Sequence, residues 1–202
     1  MFRDIRPALV LLFGLTVLTG LVYPLAMTGI AGVLFPSQAA GSLITIEGKV
    51  VGSSLIGQSF TGDRYFHGRP SATTAADPED PSKSVPAPYN ASNSMGSNLG
   101  PTSKVLADRL EVDMTALRKE NPGAAVPVDL VTTSGSGLDP DLSPAALLFQ
   151  VPRVAAARGL PEEQVRRLVE SQVQDRLLGL IGEPRVNVLA LNLVLDRAAA
   201  GR

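Results

Sequence analysis

The chain has 202 residues and a nearly balanced charge, with 18 Lys and Arg residues against 19 Asp and Glu residues. This balance gives no electrostatic basis for binding nucleic acid. The chain contains no cysteine, which excludes disulfides, thiolate nucleophiles and cysteine-based metal sites, and its single histidine, His67, excludes histidine-rich metal sites. The composition therefore predicts neither a metal site nor a nucleic-acid partner.

The first predicted element is a membrane helix. No charged residue occurs between Arg6 and Glu47, and residues 8–35 are long and apolar enough to cross a bilayer core of about 30 Å as one helix. A cleaved signal peptide is the alternative, with small residues at positions 37–39 before the cut. Its apolar region would cover only about 7–15 residues, however, so a retained anchor is predicted.

Basic residues mark only one end of the predicted span. Arg3 and Arg6 precede it, whereas the first basic residue after it is Lys49. The positive-inside rule therefore predicts that residues 1–7 are cytoplasmic and that residues 36–202 form an extracytoplasmic domain.

Small side chains recur at every fourth position of the predicted span. They are Thr16, Gly20, Pro24, Thr28 and Gly32. Such a stripe lets other helices approach closely in lipid, so it is predicted to be a packing surface for membrane helices of a partner. The alternative is that Gly and Thr are simply common in membrane helices. Pro24 is also predicted to kink the helix.

The segment after the span predicts a hairpin and then a long polar loop. Residues 43–47 and 50–56 are short, rich in Ile and Val, and separated by Gly48-Lys49, which favours two paired strands. Residues 68–100 are heavy in Pro, Ser, Ala, Asn and Asp and are longer than an ordinary loop. They are predicted to be either mobile or a shaped functional loop.

A helix is predicted after this polar tract. Thr102 or Ser103 can cap its start, and Pro122-Gly123 stops it. Residues 126–131 then predict a short strand, with Pro127 at its start or at a sheet edge.

The last third of the chain predicts mainly helices. One begins at Ser143-Pro144, kinks or splits at Pro152 and ends at Gly159. Another covers residues 161–181 with a continuous apolar face. From Asn187 onward the chain predicts either a final helix capped by that side chain or a last strand. Together the elements predict a single N-terminal transmembrane α-helix followed by a small α+β soluble domain.

One loop between a predicted strand and a predicted helix has the context of a phosphate-binding loop. It contains Ser134, Gly135, Ser136 and Gly137, but it has no lysine and no P-loop spacing. Turn chemistry explains the same residues, because the glycines permit positive φ and Ser143 caps the following helix. The loop is therefore predicted to be structural, with nucleotide binding as the alternative.

The sequence favours no catalytic constellation. A serine hydrolase would use His67 with Asp63 as a nearby carboxylate, but no G-x-S-x-G elbow occurs. Asp77, Glu79 and Asp80 offer a carboxylate pair for glycoside chemistry, although a solvated charge cluster is the simpler interpretation of a proline-rich segment. No catalytic residue is predicted.

Six stretches, in order along the chain, resemble one family. They are GSSLIGQSF, YFHGRPSAT, GSNLGPTS, VPVDLVTTSGSGLDP, QVPRVAAARGL and VNVLALNLVLD, and they follow the N-terminal membrane helix. On these motifs the chain resembles the KdpC family, the C subunits of bacterial Kdp potassium-transporting P-type ATPases. Two positions depart from the family pattern, since Met95 stands in place of a glycine and Ser103 in place of an asparagine.

The resemblance implies a non-catalytic accessory subunit of an ATP-driven, high-affinity potassium uptake complex in the bacterial plasma membrane. Its implied partners are a channel-like potassium-binding subunit, a P-type ATPase subunit and a small membrane subunit, besides the lipid bilayer. The aspartyl-phosphate motif DKTGT does not occur here, so the catalytic aspartate is expected on the ATPase subunit. The resemblance implies no cofactor of the chain's own, and any ATP would be bound through the catalytic subunit.

Two roles follow from the resemblance. The family's C subunit is needed for assembly, and it is described as a catalytic chaperone that raises the ATP affinity of the ATPase subunit, which would involve residues 134–137 and Gln150. The predicted topology keeps an outside domain away from cytoplasmic ATP. Assembly, together with shaping of the potassium entrance of the channel-like subunit, is therefore the favoured role. A free-standing, membrane-anchored ligand-binding module is the further alternative.

Overall fold

The computed structural model describes the backbone of residues 2–200 and the side chains of residues 3–198. The chain divides into two compact units, Met1–Val51 and Gly52–Arg202. Residues 1 and 201–202, at the far ends of the predicted cytoplasmic and extracytoplasmic segments, lie outside the described residues.

The first unit is dominated by one long apolar helix. It consists of a 3₁₀ turn (Phe2–Asp4), α1 (Ile5–Val17), a π-helical turn (Leu18–Val22) and α2 (Tyr23–Leu34), and a short helix α3 (Pro36–Ala39) follows. The segment Ile5–Leu34 is long and apolar enough to cross a membrane, and its most apolar stretch is not buried within the chain. This segment corresponds to the predicted single transmembrane helix.

A widened turn accommodates Pro24. Proline has no N–H to donate to the carbonyl four residues earlier, that of Gly20, and its ring crowds the preceding turn. Just before it lies the π-helical turn Leu18–Val22, in which the N–H of Tyr23 donates to the carbonyl of Leu18, five residues back. The proline therefore coincides with a local change of hydrogen-bond register, and the helix continues past it.

The predicted hairpin is confirmed, with its turn one residue earlier. Strands β1 (Leu43–Ile46) and β2 (Lys49–Ser53) pair in a two-stranded sheet. Glu47 and Gly48 occupy the turn with φ values of 49° and 76°. Two successive positive φ values give a two-residue turn whose twist matches that of the flanking strands.

Helices and short antiparallel sheets make up the second unit. Its elements are β3 (Thr74–Ala76), β4 (Ser84–Pro86), α4 (Lys104–Glu120), β5 (Asp141–Leu142), α5 (Pro144–Arg158), α6 (Glu162–Ser171), β6 (Val186–Asn187) and α7 (Val188–Ala200). Strands β3 and β4 pair antiparallel, as do β5 and β6. The predicted α+β class is confirmed.

The core of this unit lies among α5, α6 and α7. Val151 and Val154 from α5, Val165 from α6 and Leu191 from α7 are fully buried in one cluster. Phe66, which precedes the polar tract, is fully buried in the same cluster. Burying such side chains stabilises the fold by about 1.5–3 kcal/mol each, so this helical layer holds the loops that cover it.

Several predicted helix boundaries are confirmed by their caps. Ser103 and Ser143 each accept a backbone N–H from the third residue of the helix that follows. Gly159 ends α5 in the left-handed region, with φ of 62°. Asn187 is the last residue of β6, and its side chain accepts the N–H of Ala190 at 2.9 Å within α7. Both alternatives for this segment therefore apply, a short strand first and then a capped helix.

The predicted strand over residues 126–131 is wrong, and of the kink or split predicted at Pro152 the split does not occur. In place of the strand over residues 126–131 the chain forms a 3₁₀ turn, Val128–Leu130. Pro127 has no N–H for a strand ladder, and its carbonyl instead accepts the N–H of Leu130 at 3.2 Å. Pro152 does not split α5, because buried side chains on both sides of it hold the helix against the core.

The helix predicted over residues 161–181 is too long. Helix α6 ends at Ser171, whose hydroxyl donates back to a carbonyl of the last turn. Leu178 and Gly179 have φ values of 54° and 72°, which no α-helix contains. The apolar residues after Ser171 continue the helical spacing, but positions 177, 178, 180 and 181 are exposed to solvent.

Candidate functional site

The glycine–serine loop closes on itself through its serines. Ser134 is almost fully buried, and its Oγ accepts the N–H of Gly137 at 2.8 Å. The Oγ of Ser136 accepts the N–H of Leu138 at 3.1 Å, and its carbonyl accepts the hydroxyl of Ser94 at 3.0 Å. Both serine hydroxyls thus serve the turn, as the structural interpretation requires.

The two glycines of the loop differ in what their positions tolerate. Gly137 has φ of 68°, and a Cβ there would lie 2.5 Å from Thr73 Cγ2 and 2.6 Å from Met95 O. The hydroxyl of Ser71 also donates to the carbonyl of Gly137 at 2.7 Å. A Cβ at Gly135 would meet nothing within 4 Å, and φ there is not positive. The geometry requires glycine at position 137 only.

The polar tract over residues 68–100 is held by internal hydrogen bonds. Thr73 is buried, and its Oγ1 donates to the carbonyl of Ala87 at 2.6 Å. The hydroxyl of Tyr89 donates to the carbonyl of Arg69 at 2.7 Å, and burial raises the pKa of Tyr89 to about 12. In the structure this tract is therefore a shaped loop, and the glycine–serine loop packs against it.

Gln150 lies inside the domain with its whole side-chain amide engaged. It is 2% exposed. Its Oε1 accepts the N–H of His67 at 2.8 Å and a guanidinium N–H of Arg153 at 2.7 Å. Its Nε2 donates to the carbonyls of His67 at 3.1 Å and Ala146 at 3.3 Å. Because an amide has two donors and two acceptor positions, these four bonds use all of its hydrogen-bonding capacity.

His67 has the surroundings of a packed side chain. Its Nε2 lies 3.1 Å from the carbonyl oxygen of Gly62. Burial, and then the positive charge of Arg153, lowers the pKa of His67, so the ring is neutral at pH 7. Within the part of the chain that the structure describes, no group of three or more His, Asp or Glu side chains could hold a metal ion.

The predicted solvated cluster of carboxylates is exposed and locally bonded. Asp80 accepts the hydroxyl of Ser82 at 2.6 Å and pairs with Lys83 at 2.9 Å. The hydrogen bond from Ser82 and then that from Lys83 lower the pKa of Asp80. Asp77 accepts the N–H of Glu79 at 2.9 Å within the turn between β3 and β4. These contacts are those of turn residues.

An acidic groove was not foreseen from the sequence. We define it by its charged residues, which are Arg69, Asp129, Asp139, Asp141, Glu183 and Arg185, and its volume is about 320 Å³. Arg69 pairs with Asp139 at 3.1 Å, and Arg185 pairs with Asp141 at 3.1 Å. Burial raises the pKa of Asp141. Four carboxylates against two guanidinium groups leave the groove with a net negative charge.

The groove residues come from distant parts of the chain, which explains why sequence patterns missed them. Arg69 lies in the stretch YFHGRPSAT, Asp129 and Asp139 in VPVDLVTTSGSGLDP, and Arg185 just before VNVLALNLVLD. The sequence contains one indication of the groove, which is that several of its charged residues lie in or beside the stretches that resemble the family. Their spatial convergence depends on the pairing of β5 with β6.

The predicted membrane stripe lies along the helix of the first unit. Gly20 is in the π-helical turn, Thr16 in α1, and the other members in α2. A Cβ at Gly20 or Gly32 would meet nothing within 4 Å, so both positions are open on the helix surface. The structure therefore keeps the stripe residues in one unit and residues 134–137 and Gln150 in the other.

Known proteins match this chain over nearly its whole length. The family model described as KdpC, the K⁺-transporting ATPase c chain, matches residues 5–197. The potassium-transporting ATPase KdpC subunit of Methylobacterium nodulans is 73% identical over 199 residues, covering 98% of this chain and 99% of the relative. The subunit of the same name from Bradyrhizobium diazoefficiens is 73% identical over 200 residues, covering 99% of this chain and 100% of the relative.

A further relative, the potassium-transporting ATPase KdpC subunit of Rhodopseudomonas palustris strain BisB18, is 71% identical over 198 residues. The match covers 98% of this chain and 100% of the relative. Identities of this level over nearly full length confirm the resemblance that the six stretches indicated. The chain belongs to the KdpC family of K⁺-transporting ATPase c chains.

Proposed function

We propose that this chain is a non-catalytic accessory subunit of an ATP-driven potassium uptake complex. Its single helix anchors it in the bacterial plasma membrane with the N-terminus in the cytoplasm and the α+β domain outside. There it supports assembly with a channel-like subunit, a P-type ATPase subunit and a small membrane subunit, and it shapes the potassium entrance of the channel-like subunit. ATP is bound and hydrolysed on the ATPase subunit.

One observation carries this proposal. The helix Ile5–Leu34 can span a membrane, and its charges are asymmetric, with Arg3 before it, Arg6 in its first turn and no further basic residue until Lys49. The positive-inside rule then assigns the second unit to the extracytoplasmic side. ATP is cytoplasmic, so a domain on that side acts on potassium or on its protein partners.

The geometry of the loop and of Gln150 supports the same role. A nucleotide would need free donors for its phosphate groups. Ser134 is buried, with its hydroxyl oxygen accepting the N–H of Gly137, and the amide of Gln150 has no capacity left. Contact of ATP with Gln150 would therefore require its internal bonds to break, and contact with Ser134 would require the loop to open.

The topology can be tested by labelling. The chain has no native cysteine, so Ser82→Cys, in the exposed turn between β3 and β4, places one thiol in the second unit. An impermeant maleimide is expected to label it on intact cells. A matched Asp4→Cys variant, before the helix, is expected to react only after lysis. Labelling of Ser82→Cys only after lysis would reverse the topology and make contact with cytoplasmic ATP feasible.

The membrane stripe can be tested by adding bulk. Gly20→Leu with Gly32→Leu keeps the helix apolar and meets no atom of the chain itself, but it blocks close approach by another helix. Co-purification of the partner subunits with the tagged chain is expected to fall roughly fivefold, which is about 1 kcal/mol of packing free energy.

A matched control is available in the same helix. Gly14→Leu with Ala26→Leu adds similar bulk at two exposed positions that are two residues from stripe members and therefore on the opposite side of the helix. This pair is expected to leave co-purification unchanged. Equal retention of the partners by both double variants would show that the stripe is incidental and that the second unit holds the complex.

A further inference from the structure

Four large aliphatic side chains protrude together from the second unit. We call residues 177–181, Leu-Leu-Gly-Leu-Ile, the apolar tip. Leu178 and Leu180 are 84% and 83% exposed, and Leu177 and Ile181 are more than 60% exposed. Single exposed apolar residues are ordinary, but a run of them on one short loop marks an interaction site.

The apolar tip is the end of an ordered hairpin. Gln174 and Arg185 exchange two backbone hydrogen bonds of 2.8 and 3.0 Å at its base. Above them Arg176 pairs with Glu183 at 2.6 Å. Two further backbone bonds, of 2.9 and 3.0 Å, join residues 177 and 181. The apolar tip is therefore a short hairpin whose two arms are joined by three successive pairs of residues.

One residue of the apolar tip is held in a costly conformation. Leu178 has φ of 54°, in the left-handed region that leucine rarely adopts. The side chain gains nothing from the chain's own core in return, because it is the most exposed of the four. The turn over residues 177–180 requires positive φ at both central positions, as the turn at Glu47-Gly48 does, and Asn, Asp or Gly is the usual residue at the first of them. Leucine at this position is therefore unfavourable for the chain alone, and its exposure favours a role in contact with a partner.

The charges around the apolar tip indicate whether it packs against a bilayer or against a protein. The tip contains no aromatic residue, and its base carries balanced charge through the pair Arg176–Glu183. Glu183 also lines the acidic groove, which is net negative even when Arg176 is counted with it. Surfaces that insert into a bilayer interface carry Trp, Tyr or Phe with an excess of Lys and Arg. An acidic groove beside an aliphatic tip instead complements a protein surface with an apolar socket and basic side chains.

Size argues against self-association through the tip. Its four side chains offer roughly 500 Å² of apolar surface, whereas a stable dimer buries about 800 Å² on each partner. An anchor of this size fits as the central contact of a larger interface, with the charged groove as its rim.

We infer that the apolar tip inserts into an apolar socket, flanked by basic side chains, on a partner subunit of the potassium transport complex. The acidic groove receives the basic side chains beside it. This inference rests on the proposed function, because it names the surface through which the second unit takes part in assembly.

Cross-linking in the intact complex identifies the molecule that contacts the apolar tip. A benzophenone side chain in place of Leu180 is expected, on irradiation, to join the full-length chain to one partner subunit. Digestion is expected to place the cross-link in a segment that carries Lys or Arg. A cross-link to lipid only, to a second copy of the chain only, or to nothing overturns the inference.

Polar substitution tests the energetic role. Leu178→Ser with Leu180→Ser is expected to reduce co-purification of the partner subunits about fivefold or more, as loss of a buried anchor does. Val105→Ser with Val112→Ser, two valines of α4 that are 66% and 68% exposed, is the matched control and is expected to have no effect. Both double variants should unfold at the same temperature as the parent, because all four side chains lie in solvent in the chain itself. Unchanged co-purification with the tip variant overturns the inference.

Deletion of the whole chain separates this inference from the proposed function. If the remaining subunits assemble and take up potassium without the chain, the proposed function fails. If deletion prevents assembly while the tip variant assembles normally, the proposed function stands and the tip is not the contact.

Discussion

Gly137→Val is expected to lower the unfolding temperature of the full chain in detergent by roughly 10 °C, from a loss of about 3 kcal/mol. Two effects combine at this position. The φ value of 68° is unfavourable for a β-branched residue, and the new Cβ would lie 2.5 Å from Thr73 Cγ2 and 2.6 Å from Met95 O. The carbonyl of Met95 is backbone, so relief requires the polar tract to move as a whole. Thermal unfolding followed by circular dichroism measures the effect.

The neighbouring glycine provides the control. Gly135→Ala places a Cβ where no atom lies within 4 Å, at a residue without positive φ, and it is expected to change the unfolding temperature by no more than about 2 °C. Ser136→Ala removes one hydroxyl at the turn and is expected to have a small effect. A Gly137→Val protein as stable as the parent would contradict the close packing of this loop against the polar tract.

Gln150→Ala is expected to destabilise the chain by about 2–4 kcal/mol. The substitution leaves the partly buried N–H and carbonyl of His67 without their partners and removes an acceptor from Arg153. These groups hold the start of the polar tract against α5, so the loss extends beyond one side chain. Gln172→Ala, with weak contacts of 3.5 Å at the end of α6, is the control and is expected to be nearly neutral.

The same variant separates a structural role from a role in nucleotide binding. In the assembled complex, Gln150→Ala is expected to lower the amount of complex recovered and to leave the apparent Michaelis constant for ATP unchanged. An amide that contacted ATP would instead raise that constant severalfold in complex assembled at normal yield. That result, together with a cross-link from ATP to this chain, would establish the catalytic-chaperone role.

Local signals along the chain predicted the helix boundaries well. Ser143, Pro144 and Gly159 act within one or two turns of their own position, so their roles could be assigned without knowing the rest of the fold. The hairpin at Glu47-Gly48 is local in the same sense. The predictions failed at Val128–Leu130 and after Ser171. Leu130 and Val131 are buried as a strand would require, but Pro127 starts a 3₁₀ turn there. After Ser171 the helical spacing of apolar residues continues, but the apolar tip has no surface of the chain to pack against.

Of the candidate site residues, the sequence located the loop but not its surroundings. Turn chemistry identified Gly137 as a residue with positive φ, but it gave the same role to Gly135, which does not need it. The packing of Thr73 and Met95 on Gly137 joins segments about 40–65 residues apart, and no local rule reaches across that separation. Gln150 was singled out only through the family resemblance, and its four hydrogen bonds became visible only in the folded chain.

The sequence by itself determined the membrane helix, its flanking charges, the caps and the family, because each of these depends on composition or on neighbouring residues. The tertiary structure alone decided how the polar tract is ordered, which charges meet in the acidic groove and where α6 stops. At residue 171 the chain leaves the helix, and its backbone pairs Gln174 with Arg185 before β6 pairs with β5. The core among α5, α6 and α7 is already filled by residues such as Val165 and Leu191. The leucines that continue the helical pattern therefore have no core position left, and they remain in solvent at the apolar tip.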